Sequence, residues 1–211
     1  ITAPFSVKHG EVNLTSVNFC ASYFAIAQFA GESFDEVDGG IQMTHVSKSS
    51  DGRRPGYDQP FGHEVPFDDF YKTRKDREVY ALNPLTTTVK ILEVDGGFDL
   101  HLTADGYDRV PFQIACDFTP GGELDFESGV MRGQVGEVAF LKSGSATYHV
   151  GTDAISIGPG AYGHRFWQMR GSESAPNAFR VLMTFMTPVE HKVEIRCGTW
   201  STAEERILQE K

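Results

Sequence analysis

Short runs in which apolar and polar residues alternate, each broken by a glycine-containing turn, recur along this chain and predict strands rather than helices. Glu36-Val37-Asp38-Gly39-Gly40 is repeated letter for letter as Glu93-Val94-Asp95-Gly96-Gly97, with a weaker echo at Val150-Gly151-Thr152-Asp153. The first two copies run into alternating segments at residues 41–45 and 98–102, which is the pattern of a β-hairpin. In the second hairpin, a loop of Asp95, Gly96 and Gly97 puts Leu92 and Val94 on one face with Phe98 and Leu100. Glu93, Asp99 and His101 then share the other face. In the third, Gly151-Thr152 as a two-residue turn sets Tyr148 opposite Ile155 and places His149 with Thr147 and Ser156 on a polar face.

Elsewhere the pattern is read segment by segment. Val17, Phe19, Ala21 and Tyr23 alternate within residues 12–29 and favour a strand with a bulge, although Phe19, Tyr23, Ile26 and Ala30 also fit a helical face. Residues 110–118 alternate apolar positions with Gln113 and Asp117, as a half-buried strand does. Residues 179–186 are apolar on both parities, which predicts a strand covered on both sides. Val193, Ile195 and Cys197 alternate against Lys192, Glu194 and Arg196, and Ser201 with Glu204 forms a capping box that opens a short C-terminal helix. Residues 48–77 are proline-rich and charged without periodicity, so a long loop is expected there, either a binding loop or a disordered segment. Ten to thirteen strands in 211 residues predict a single all-β domain over residues 1–211, a β-sandwich or jelly-roll barrel with a short C-terminal helix.

Composition narrows the function. A net charge of −10 argues against nucleic-acid binding, which depends on Lys and Arg at phosphates. Cys20, Cys116 and Cys197 are odd in number and far apart, so free structural thiols are expected. No run of about 18 apolar residues predicts a membrane span. Neither an initiating Met nor a basic-then-apolar leader opens the chain, so the expectation is a processed end or a segment of a longer protein.

Reactive side chains are densest at residues 162–170. Read as a strand, this segment puts Tyr162, His164, Gln168 and Arg170 on one face and Arg165 and Trp167 on the other. Arg forks onto a carboxylate, Trp stacks on a flat apolar face, and His moves a proton near neutral pH. His149 joins them because its hairpin leads directly into the segment. The expected catalytic residues are therefore His164, His149 and Tyr162, with Arg165, Trp167, Arg170 and Tyr148 contacting substrate. The expected activity is binding or acid–base cleavage, by elimination or hydrolysis, of a carbohydrate, and the ligand is a glycan or other small molecule.

Glu137, six residues before Gly144, followed by residues 153–164 with Pro159-Gly160, resembles part of the two-motif pattern of the cupin family. That resemblance implies a barrel topology and the rival activity of a small-molecule isomerase or lyase. Met131-Arg132-Gly133 stands where the family's His-x-His pair would be, so neither a tightly bound metal nor another cofactor is expected. A third expectation is a non-catalytic accessory domain. No phosphate loop, dinucleotide fingerprint or Gly-x-Ser-x-Gly elbow occurs.

Overall fold

The computed structural model describes residues 5–23, 29–47, 56–57, 72, 79–80, 83–169, 172 and 174–201. In chain order the strands are β1 (Phe5–His9), β2 (Val12–Ala21), β3 (Ser33–Val37), β4 (Gly40–Ser47), β5 (Gly56–Tyr57) and β6 (Val79–Tyr80). Then come β7 (Leu85–Val94), β8 (Gly97–Asp105), β9 (Pro111–Phe118), β10 (Glu123–Phe126) and β11 (Gly129–Arg132). The series ends with β12 (Val138–Phe140), β13 (Ala146–Val150), β14 (Asp153–Gly158), β15 (Phe179–Met186) and β16 (Val189–Thr199). The expected C-terminal helix and most of the expected long loop lie outside the described residues. Among the described residues no helix is long and apolar enough to cross a membrane.

The chain is nearly all β and forms two open sheets with one small pair, β5-β6, apart. The smaller of the two runs β1-β2-β9-β15-β12 and the larger β11-β10-β13-β14-β16-β8-β7-β4-β3. Both contribute to a single apolar core, since Phe112, Ile114, Phe179 and Val181 of the smaller sheet cluster with Val89, Leu100, Ile155 and Ile195 of the larger. Each fully buried side chain of this size is worth about 1.5–3 kcal/mol. The bulge expected in the first long strand is present, where the pairing of β2 with β9 shifts between Leu14 and Ser16.

The repeated pentapeptide has a common structural use. Val37 pairs with Gly40 and Val94 with Gly97, so each turn holds two residues, with Gly39 and Gly96 at φ of 73° and 71°. The carbonyls of Gly39 and Gly96 then accept hydrogen bonds from the N–H groups of Glu93 and Cys197 on the adjoining strands, both at 2.8 Å. Gly40 and Gly97 come next, and a Cβ on either would stand 1.9 or 2.0 Å from the carbonyl oxygen of Ile91 or Ile195. The second glycine is therefore demanded by the neighbouring strand, not by the turn. Thr152 at the third tip accepts a bond from the Trp200 N–H, so all three tips are fastened to the strand beside them.

A two-residue turn at Asp95-Gly96, where three residues were expected, moves the pairing by one position. Ile91 lies opposite Leu100 and Val89 opposite Leu102, and these enter the core, whereas Leu92 faces Asp99 on the outer side. The third hairpin matches the expected register, with Tyr148 opposite Ile155 and Thr147 opposite Ser156.

β9 departs from the half-buried strand expected of it, because Gln113 and Asp117 are buried too. They lie on the outer face of the smaller sheet, with Asn18, Cys20, Arg180 and Thr184, all of them buried. Part of the cover is the segment from Tyr162 to Met169, whose Met169 packs against Cys20. Beneath it the Asp117 carboxylate accepts Arg180 Nε at 2.6 Å and a terminal guanidinium nitrogen at 2.9 Å. Ser16 Oγ and Asn18 Nδ2 donate to it as well, at 3.0 and 3.1 Å. The three cysteines are free thiols. Burial pushes Cys20 up to about 12 and raises Cys116 further still, so both behave as small hydrophobes.

Candidate functional site

Residues 162–169 do not form the expected strand. Tyr162 makes a single parallel bridge to Thr184, after which the chain crosses the smaller sheet irregularly. His164 is its anchor. Nδ1 accepts the Phe166 N–H at 3.2 Å, and Nε2 donates to the Phe112 carbonyl at 3.0 Å. Both nitrogens are thereby committed in the neutral ring. Burial lowers the His164 pKa from 6.5, against a smaller opposing effect of the Phe112 carbonyl.

The expected consequence is a pH-dependent stability term. Because the folded value lies below the unfolded one, the term is complete above about pH 6.5 and is lost as pH falls through the lower folded value. Urea midpoints of the native chain and of His164→Gln, compared between about pH 7.5 and about pH 5, test this. The native midpoint should fall more steeply towards acid than the variant's, and parallel curves would reject the assignment.

Tyr148 is turned inward and fully buried. Its ring packs on Phe118 and Phe179, and its hydroxyl donates to the Thr119 carbonyl and accepts the Gly122 N–H, both at 2.9 Å. Substrate contact is closed to it. Burial accordingly raises its pKa. Arg170 lies outside the described residues.

Because Tyr148 faces the core, its neighbour His149 points to the outer side of the larger sheet. The registers of β10 set Arg132, Glu123 and His149 side by side across β11, β10 and β13. Together with Gln134 and the bare backbones of Gly122 and Gly133 they line an open cleft of about 660 Å³. Its glycine floor follows from the tyrosine below, since a Cβ at Gly122 or Gly133 would come within 2.8 or 2.5 Å of Tyr148. The Arg132 and Glu123 side chains form an ion pair at 3.6 Å on the rim.

His149 itself is only 6% exposed, and among the described residues Nε2 has no hydrogen-bond partner. The Trp200 ring lies flat on the imidazole, with centroids 3.8 Å apart and planes 9° from parallel. Trp200 is held there by its N–H bond to Thr152 and by Nε1 donating to Asp125 at 3.3 Å. Leaving a buried polar atom unpaired costs about 1–3 kcal/mol, so such a group calls for a reason. Asn18 Oδ1, His45 Nε2 and Gln113 Oε1 are also unpaired. Of these four residues, His149 lines the cleft of about 660 Å³.

The expected site is thus divided. His149 lies on the outer side of the larger sheet, whereas Tyr162, His164, Arg165 and Trp167 lie on the outer side of the smaller one, with the core between. Glu123, Arg132, Gln134 and Trp200 were missed. The Glu127-Ser128 turn that brings β11 back beside β10 lacks an Asn-Gly or Asp-Gly signal, and Trp200 reaches His149 through pairing of β14 with β16. Glu137 and His164, which carry the cupin resemblance, do not meet: Glu137 borders a hollow beside Trp167, and His164 is bonded to Phe112 and Phe166. Among the described residues no three His, Cys, Asp or Glu side chains are grouped to hold a metal ion. Comparison with models of protein families, with curated proteins and with solved structures finds no match to this chain.

Proposed function

We propose that this chain is a β-sandwich domain that acts on carbohydrate, and that the His149 cleft receives a uronate-bearing glycan for cleavage by elimination. The observation that carries this reading is a nearly buried imidazole with an unpaired nitrogen, lining an open polar cleft that also presents a guanidinium, a carboxylate and an amide. A cleft with convergent polar groups is where ligand chemistry is usually found.

The chemistry follows from those groups. Arg132 forks onto the uronate carboxylate and withdraws its charge, which acidifies the proton on the adjoining ring carbon. Gln134 hydrogen-bonds sugar hydroxyls. His149 takes that proton, the released electron pair forms a carbon–carbon double bond, and the glycosidic C–O bond one carbon further on breaks. The imidazolium returns its proton to the departing oxygen, so no co-reactant is consumed.

The second reading is a binding domain without chemistry. It is favoured by Trp200, which lies over the imidazole that the reaction needs.

Incubation of the native chain with uronate-containing and neutral polysaccharides, read by ultraviolet absorbance and by reducing ends, tests both. An absorbing, unsaturated product from the uronate polymers alone is the expected result. Reducing ends without absorbance would replace elimination by hydrolysis. Binding without cleavage selects the second reading, and the absence of both rejects the carbohydrate assignment.

A further inference from the structure

We propose that the segment from Tyr162 to Gln168 is a second carbohydrate-contacting surface, on the opposite outer face from the His149 cleft, which holds a polysaccharide strand. This rests on the carbohydrate reading of the domain but not on any chemistry at His149. Tyr162, Phe166 and Trp167 are 47, 50 and 60% exposed, an uncommon use of three large rings within six residues. Nothing about the backbone beneath them is loose. His164 is bonded on both ring nitrogens, Thr184 Oγ1 donates to the His164 carbonyl at 2.8 Å, and Met169 is buried against Cys20. The backbone that carries the rings is therefore anchored in advance of binding, which reduces the entropy lost when a ligand docks.

The surroundings of Trp167 indicate the ligand. It forms one wall of a hollow of about 120 Å³ that is also lined by the polar residues Glu137, Gln168, Ser172, Ser174 and Arg180, the last with its guanidinium bonded to Asp117. A flat apolar ring beside a carboxylate, an amide and hydroxyls suits a sugar, which has an apolar ring face and hydroxyls at its edge. A protein anchor would instead be met by an apolar pocket within a polar rim. The hollow is too small for a whole oligosaccharide, which suits a polymer laid across the surface with one residue's edge inserted. Lys142, with Nζ 4.8 Å from the Tyr162 ring centroid, and exposed Arg165 extend the surface with positive charge, favourable to acidic residues of the same polymer.

Affinity electrophoresis through gels containing uronate or neutral polysaccharide tests the surface. The native chain and Trp167→Ala are compared, with Phe166→Ala as a second exposed-ring variant and His149→Ala as the cleft control. The expected result is retardation of the native chain and of His149→Ala, with apparent affinity about tenfold or more lower in Trp167→Ala. Retardation equal in native chain, Trp167→Ala and Phe166→Ala would overturn the surface while leaving the cleft reading intact. Ring-dependent retardation without cleavage by any variant would keep the surface and reject the chemistry. A native chain that no polymer retards overturns the surface, whatever it cleaves.

Discussion

His149→Ala is expected to lower kcat/KM on the uronate polymer by about 10²–10⁴-fold, nearly all of it in kcat. The imidazole contributes no hydrogen bond to the fold through Nε2, so its removal deprives the proposed reaction of its proton carrier without breaking a bond at that atom. The structural cost is the flat stack on Trp200, about 0.5–1.5 kcal/mol for an aromatic pair. A urea midpoint close to that of the native chain would accompany the kinetic loss. His149→Gln separates the two roles, because an amide fills the same space and bonds to a sugar hydroxyl but carries no proton. It should be as inactive as the alanine variant and bind substrate nearly as well. If either variant turns over at the native rate, His149 is not the proton carrier.

The second large effect concerns stability. Asp117→Ala should cost about 3–5 kcal/mol, the usual result of removing one partner from a buried ion pair. The Arg180 and Asp117 side chains are 10% and 3% exposed, and Asp117 also gathers Ser16 and Asn18. Removing the carboxylate takes a doubly bonded counter-charge from a guanidinium that water hardly reaches, and it takes an acceptor from two further donors. Urea unfolding should show a much lower midpoint with a similar slope. Asp117→Leu with Arg180→Met, which removes both charges at similar volume, should recover most of the loss. A loss under about 1 kcal/mol in the single variant would mean that water reaches the pair, as at an exposed salt bridge.

These two variants also show what each level of structure decides. Asp117 alternates with core residues in sequence and so reads as the solvent-facing side of a half-buried strand. It is nonetheless buried, on a face of which the segment from Tyr162 to Met169, tied down by His164, covers part. Apolar residues on both parities of β15 did signal a covered sheet, but the polar residues of β9 beside it carried no matching signal. A buried polar residue and a solvated one look alike until the partners that satisfy it are known.

Local interactions determined most of the longer strands, the positions of the three hairpin tips, the bulge in β2 and the Tyr148–Ile155 register, because turn chemistry and period-two alternation act over a few residues. They also marked His149 as outward-facing and residues 162–170 as rich in reactive groups. Only the tertiary structure decided which of those groups meet. It sent the segment from Tyr162 to Met169 over the smaller sheet, left His149 on the larger one, and supplied Arg132 and Glu123 from neighbouring strands and Trp200 from just beyond β16. The physical reason is that sheet order and the packing of two sheets are set by burial of the whole core, to which each side chain contributes without encoding its eventual neighbours.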